Sequence, residues 1–226
     1  RELHSFSEIP ISVSCQPLNS EDMRRLDEAG VERVSIALDA VTRELFDKVK
    51  GTSIGGPYTW EGHLEALKNA VKIFGRDRVT THLIAGLGEK EEDFVMMIQK
   101  CVDSGVYPAV FAFTPIPGTV MADRPQPSVA KYRRLQVAHY LMTHGIRRYE
   151  DMKFRDCRLT SFGLSKEEHL KTIRTGKPFR TSGCPGCNRP YYNERPGGPI
   201  YNYPRHPAPS DIAVIEELLG DISCIP

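Results

Sequence analysis

Over residues 9–145 the hydrophobic positions switch between two periods. Four short runs, residues 9–15, 33–38, 79–84 and 109–114, are rich in Val, Ile, Phe and Thr, and this predicts strands. Between and after them the apolar positions fall three and four apart, which predicts helices over residues 20–28, 43–49, 59–74, 90–104 and 128–144. Leu64, Leu67, Val71 and Phe74 form the expected inner face of the third of these. The punctuation agrees. Asn19 or Ser20 starts the first helix, and Gly30, Gly75, Gly105 and Gly145 each follow a predicted helix end, where a residue without a Cβ closes the last turn easily.

Strands separated by helices predict parallel βαβ units with right-handed crossovers. Strands buried on both faces suit runs such as Val110-Phe-Ala-Phe113. In such folds ligands bind beyond the C-terminal strand ends. The unusual residues stand at those positions: Cys15, Asp39, Gly86-Leu-Gly-Glu89 and Pro115-Ile-Pro-Gly-Thr119. Each alone is ordinary loop chemistry; together on one rim they predict a ligand site. Four strands do not close a barrel. The expectation is a small open sheet or part of a larger barrel, and a chain starting at Arg1 without Met reads as a fragment or processed product.

Charge excludes more than it suggests. Lys+Arg is 30 and Asp+Glu 29, so no basic footprint points to nucleic acid. No apolar run reaches the ~20 residues of a membrane span. No signal peptide is recognisable, and the protein is expected in the cytoplasm. Six cysteines in this length do not make a disulfide scaffold.

The C-terminal part, residues 146–226, has another character. A capping box, Ser165-Lys-Glu-Glu168, predicts a short helix to about Arg174, and another helix is expected over 211–219. Between them lie most of the chain's later prolines, interleaved with Tyr, Asn and Arg, so residues 176–209 are expected as an ordered, irregular extension. It contains Cys184-Pro-Gly-Cys187. Two thiolates three apart in a tight turn can converge on one metal or one cluster edge. Taken locally, the pair fits an iron–sulfur cluster, zinc or a redox dithiol. Cys15 is the best third ligand candidate and Cys157 the next; Ser182 offers an oxygen. Cys101, within a helix, reads as core and Cys224 as incidental, and His82 reads as a satisfied strand residue.

The segments Leu-Asp-Glu-Ala-Gly30, Ser-Ile-Ala-Leu-Asp39, Leu-Ile-Ala-Gly-Leu-Gly-Glu89 and Pro-Gly-Thr119 resemble, in order and spacing, the later half of radical S-adenosylmethionine (SAM) enzymes similar to biotin synthase. The resemblance implies an α/β fold, a partial (β/α) barrel of radical SAM type over residues 1–145. It implies that Asp39 contacts the ribose of SAM, although Ala37 stands where a second partner is usual. It implies that Gly86 and Gly88 admit the adenosine closely, and that Thr114 to Gly118 lie beside the adenine. Glu89 either binds or fixes its own turn. The family holds its catalytic [4Fe–4S] cluster on Cys-x3-Cys-x2-Cys, a spacing this sequence lacks, so the chain alone is expected to be inactive. Thr80 occupies the place of one auxiliary-cluster cysteine of biotin synthase, which argues against biotin synthesis itself.

The stretch from Thr181 to Gly198 resembles that of two-subunit lipoyl synthases, which insert two sulfurs into an octanoyl chain carried on a protein lysine. This implies an auxiliary [4Fe–4S] cluster on Cys184 and Cys187, with Cys15 as a further ligand, donating sulfur. The implied partners are a related second radical SAM subunit, an octanoylated lipoyl carrier protein and an electron donor such as ferredoxin or flavodoxin. Arg189, Arg195 and Arg205 read as surface or carrier-facing. Two alternatives stand: a biotin-synthase-like reaction on another small substrate, or a non-catalytic, metal-stabilised partner subunit.

Overall fold

The computed structural model describes residues 9–183, 187, 189, 194 and 197–225. Its frame is the expected alternation. Strand β1 (Ile11–Cys15) leads through helix α1 (Ser20–Glu28) to β2 (Val31–Ile36). Helices α2 (Arg43–Val49) and α3 (Trp60–Phe74) follow, then β3 (Val79–Ala85), α4 (Glu91–Asp103), β4 (Val106–Ala112) and α5 (Val129–Thr143). The strands form one parallel sheet in the order β1-β2-β3-β4, with Val13 opposite Val34 and Val34 opposite Val79. The order of strands in space follows their order in sequence, as successive βαβ crossovers in one direction produce.

Local chemistry sets the helix ends. The Asn19 side chain accepts the Asp22 N–H at 2.8 Å, Thr42 caps α2 and Thr59 caps α3. Ser128 caps α5 in the same way, with the Lys131 N–H on its hydroxyl at 3.2 Å. The structure also differs from the expected elements. The buried stripe of α3 is His63, Ala66, Leu67, Ala70 and Phe74, while Leu64 is 38% exposed. The helix is turned so that His63 inserts between the rings of Phe46 and Tyr58, at centroid distances of 4.8 and 5.5 Å. Strand β4 starts at Val106, earlier than residue 109, because Tyr107 and Pro108 already run extended.

The chain divides into two units. The first comprises residues 9–83 and 100–109 of the described chain, and the second residues 84–99 and 110–225. Met23, Val34, Ile36, Leu38, Phe46 and Val79 are buried in the first. In the second, Phe94, Ile98, Tyr132, Leu135, Leu141, Phe162 and Phe179 are buried. The second unit also holds an antiparallel hairpin, β5 (Lys153–Arg155) with β6 (Arg158–Ser161), then α6 (Lys166–Arg174) and α7 (Pro209–Leu218). The capping box of α6 forms as expected: the Ser165 N–H donates to Glu168 at 2.8 Å and the Glu168 N–H to Ser165 Oγ at 3.2 Å.

Candidate functional site

In the first unit the chemistry gathers beyond the end of β2. Asp39 sits at φ 66°, a left-handed conformation uncommon for a residue with a Cβ. It is fixed there by its N–H, which donates to the His82 carbonyl at 2.8 Å, and by a parallel bridge to Leu83. One carboxylate oxygen, Oδ2, accepts from Lys50 Nζ at 2.8 Å, and the same ammonium reaches the Ala37 carbonyl at 2.7 Å. The other oxygen, Oδ1, accepts no hydrogen bond among the described residues, and the side chain keeps 21% of its exposure. A carboxylate with one oxygen anchored and one open is suited to a hydroxyl donor such as a sugar diol.

Lys50 was not singled out by sequence. It lies in Lys48-Val-Lys50-Gly51 at the end of α2, where a lysine reads as a favourable charge near a helix C-terminus. Only the fold brings it over the rings of Phe46 and Tyr58 and onto Asp39. Two histidines face this pair. His82 Nε2 lies 3.3 Å from Ser35 Oγ, and His63 is fully buried with Nε2 unpartnered. Burial lowers both pKa values, the Lys50 charge adds to this, and the Asp39 charge opposes it.

In the second unit the loop after β3 closes on itself. Gly86 and Gly88 have φ 107° and 113°, which side chains rarely adopt. A Cβ on Gly86 would stand 2.8 Å from Pro127 Cδ, so packing within the protein itself already demands glycine there. The Glu89 carboxylate turns back into the loop. It accepts the N–H groups of Gly86, Leu87 and Gly88 at 2.8–3.1 Å and Lys131 Nζ at 2.6 Å, with its side chain wholly buried. These contacts are the turn-fixing half of the two roles expected for it. Thr114 is half-buried beyond β4, and Gly118, at φ 82°, has no atom within 4 Å of where a Cβ would stand.

The cysteines are dispersed. Cys15 ends β1 opposite Ile36, half-buried, and burial raises its thiol pKa. Cys101 is buried in α4, as expected, its pKa pushed up to about 12 by desolvation. Cys157 lies in the β5–β6 turn with Asp156, both at positive φ, and its carbonyl accepts the Glu92 N–H. Cys187 is half-buried; Cys184, its expected partner, lies outside the described residues. Ser182 Oγ accepts the Val110 N–H at 3.0 Å. Among the described residues no three His, Cys, Asp or Glu side chains group to hold a metal ion. No helix among them is long and apolar enough to cross a membrane.

Residues 1–101 match the sequence profile of the Radical SAM superfamily. Bacteriochlorophyllide c C-7(1)-hydroxylase of Chlorobaculum limnaeum is 27% identical over 125 residues, 54% of this chain. That match spans 31% of the relative, so the chain corresponds to less than a third of its length. Among solved structures, the FeFe-hydrogenase maturase HydG from Carboxydothermus hydrogenoformans aligns with a TM-score of 0.49 at 16% identity, over 61% of this chain and 33% of that one.

Proposed function

We propose that this chain is one subunit of a two-subunit radical SAM sulfur-inserting enzyme that converts a protein-bound octanoyl chain to lipoyl. The observation that carries the reading is the union, on one chain, of a Radical SAM segment with an extension bearing Cys184-Pro-Gly-Cys187. The donor chemistry fits the cofactors the class implies. Asp39, with Oδ1 open, would hold the SAM ribose. Glu89 and Lys131 would keep the Gly86–Gly88 loop in shape. Bound to its [4Fe–4S] cluster, SAM supplies the radical that opens an unactivated C–H bond. Two cysteine thiolates in a Pro-Gly turn suit an auxiliary cluster that supplies sulfur. The residues of this chain orient the nucleoside, and the extension presents the thiolates. The partners would be the related second subunit, an octanoylated carrier protein and a small electron-transfer protein.

The test is anaerobic reconstitution of the whole protein with its second subunit, SAM and octanoylated carrier. Carrier mass rising by two sulfurs supports the reading. Iron left unchanged by Cys184→Ala plus Cys187→Ala would sink it. A second reading, radical functionalisation of a C–H bond in another small molecule, is favoured by the likeness to a hydroxylase. It gains if SAM is cleaved but the carrier never acquires sulfur.

A further inference from the structure

Among the described residues, one buried side-chain atom of the first unit has no hydrogen-bond partner, and it is Nε2 of His63. The residue is wholly buried in α3, between the rings of Phe46 and Tyr58. Its tautomer follows from its neighbours. The Thr59 carbonyl accepts the His63 backbone N–H at 3.1 Å and lies 3.2 Å from Nδ1. A carbonyl can only accept, so Nδ1 carries the ring proton and Nε2 is a bare lone pair. Phenylalanine would fill the same slot between two rings without burying an acceptor.

A matching donor belongs to Lys50. One N–H of its ammonium reaches the Ala37 carbonyl at 2.7 Å and another reaches Asp39 Oδ2 at 2.8 Å. The third meets no acceptor among the described residues. The ammonium lies 5.9 and 5.7 Å from the ring centroids of Phe46 and Tyr58, the same rings that flank His63 at 4.8 and 5.5 Å. An unspent donor and an unspent acceptor share one aromatic surround. The charges that act on His63 are Lys50 and Asp39. Helices α1 and α2 and strand β2 pack on α3, and the residues they bury are Met23, Phe46, Val31, Val34, Ser35 and Ile36, none of which titrates. Glu61, on the same helix as His63, is paired with Arg43 of α2. His82 on β3 feels the same two charges, Asp39 and Lys50.

We propose that His63 is the positioning residue of the Asp39 site: its neutral imidazole offers a lone pair to the Lys50 ammonium and keeps Lys50 on Asp39, whereas its protonation drives Lys50 off and lets the carboxylate turn. The affinity of the site for a hydroxyl-bearing ligand then follows the charge of His63. What concerns SAM rests on the reading of Asp39 as its ribose contact. Burial and the Lys50 charge lower the His63 pKa, and Asp39 opposes them. Affinity is therefore full above the ordinary imidazole value of about 6.5 and falls as the pH drops through the lower value that His63 has in the fold.

The experiment takes two readouts on the whole protein. The first follows the ring signals of isotope-labelled histidine by NMR against pH. Lys50→Met is expected to raise the His63 pKa and Asp39→Asn to lower it; a His63 titration that Lys50→Met leaves unmoved overturns the proposal. The second is SAM affinity against pH. From about pH 7 to 5 the parent is expected to lose about tenfold more affinity than His63→Gln, which keeps an acceptor but takes no proton. At neutral pH His63→Gln binds nearly as the parent does, while His63→Phe, which packs alike and accepts nothing, binds more weakly. Parent and His63→Gln with the same pH slope overturn the proposal, and so does a slope that His82→Gln abolishes. Should neither His63 variant unfold cooperatively, the NMR titration of Lys50→Met decides. SAM affinity indifferent to Asp39→Asn at every pH sinks the ribose reading, and leaves the coupling of His63 to Lys50 to the NMR readout.

Discussion

Two carboxylates stand beyond strand ends in this protein, and they are used in opposite ways. Glu89 follows β3 and is wholly buried, both oxygens taken by its own loop and by Lys131. Asp39 follows β2 and is anchored through one oxygen by Lys50, while the other oxygen is open. Both are carboxylates just beyond a strand end. What differs is the number of donors that converge on the acid. An acid with every lone pair engaged is part of the scaffold, whereas an acid oriented on one side only keeps capacity for a ligand.

The sharpest way to break this contrast is to remove Glu89. Glu89→Ala leaves the N–H groups of Gly86, Leu87 and Gly88 and the Lys131 ammonium without their acceptor. The expected loss is about 3–5 kcal/mol of unfolding free energy, read from denaturant midpoints. Lys131→Met should cost less, about 2 kcal/mol, because the three backbone donors remain on the carboxylate. A Lys131 variant more damaging than Glu89→Ala would mean that the cation, and not the loop, dominates.

Asp39→Asn reverses the order of readouts. The amide oxygen still accepts from Lys50, so stability should fall by about 1 kcal/mol or less. SAM affinity, measured by equilibrium binding, should drop about tenfold, the ~1.4 kcal/mol owed to one charge-assisted hydrogen bond. Unchanged affinity would return Asp39 to the scaffold beside Glu89.

The smallest effect is in pH. His63 and His82 have lowered pKa values in the folded state, so folding favours their neutral forms. Their contribution is present above the unfolded value of about 6.5 and is lost as pH falls towards the folded values, by at most about 1.4 kcal/mol per group and pH unit. His63→Phe should flatten this acid limb. Asp39→Asn should steepen it, because the Asp39 charge opposes the lowering of both values. Denaturation midpoints between pH 5 and 7 decide the matter.

Much of the frame was legible because its signals are local. Asn19 and the Ser165/Glu168 box act on backbone within a turn of themselves, and each formed where the letters placed it, while Thr59 and Ser128, read as first helical residues, cap their helices instead. The hairpin β5–β6 was not foreseen: its turn uses Asp156 and Cys157 at positive φ in place of Asn-Gly, so the usual signal is absent. The face of α3 was misjudged because His63 counts as polar in a pattern but packs as an aromatic between Phe46 and Tyr58. At the candidate site, Asp39, Gly86 and Gly88 could be picked out as letters beyond strands. Lys50 could not, because a lysine at a helix end is ordinary until the fold folds it back.

By itself, then, the sequence determined the alternation of strand and helix, the ends of the helices and the spacing Cys184-Pro-Gly-Cys187. These depend on neighbours a few residues apart. Tertiary structure alone decided that Lys131 closes on Glu89, that Lys50 holds Asp39, and that Arg133 grips Ile200 and Tyr201. Those partners are 42, 11 and 67 to 68 residues apart along the chain. A charged side chain reads as solvated in any local window, and becomes part of the interior only when distant backbone supplies the hydrogen bonds that replace its water.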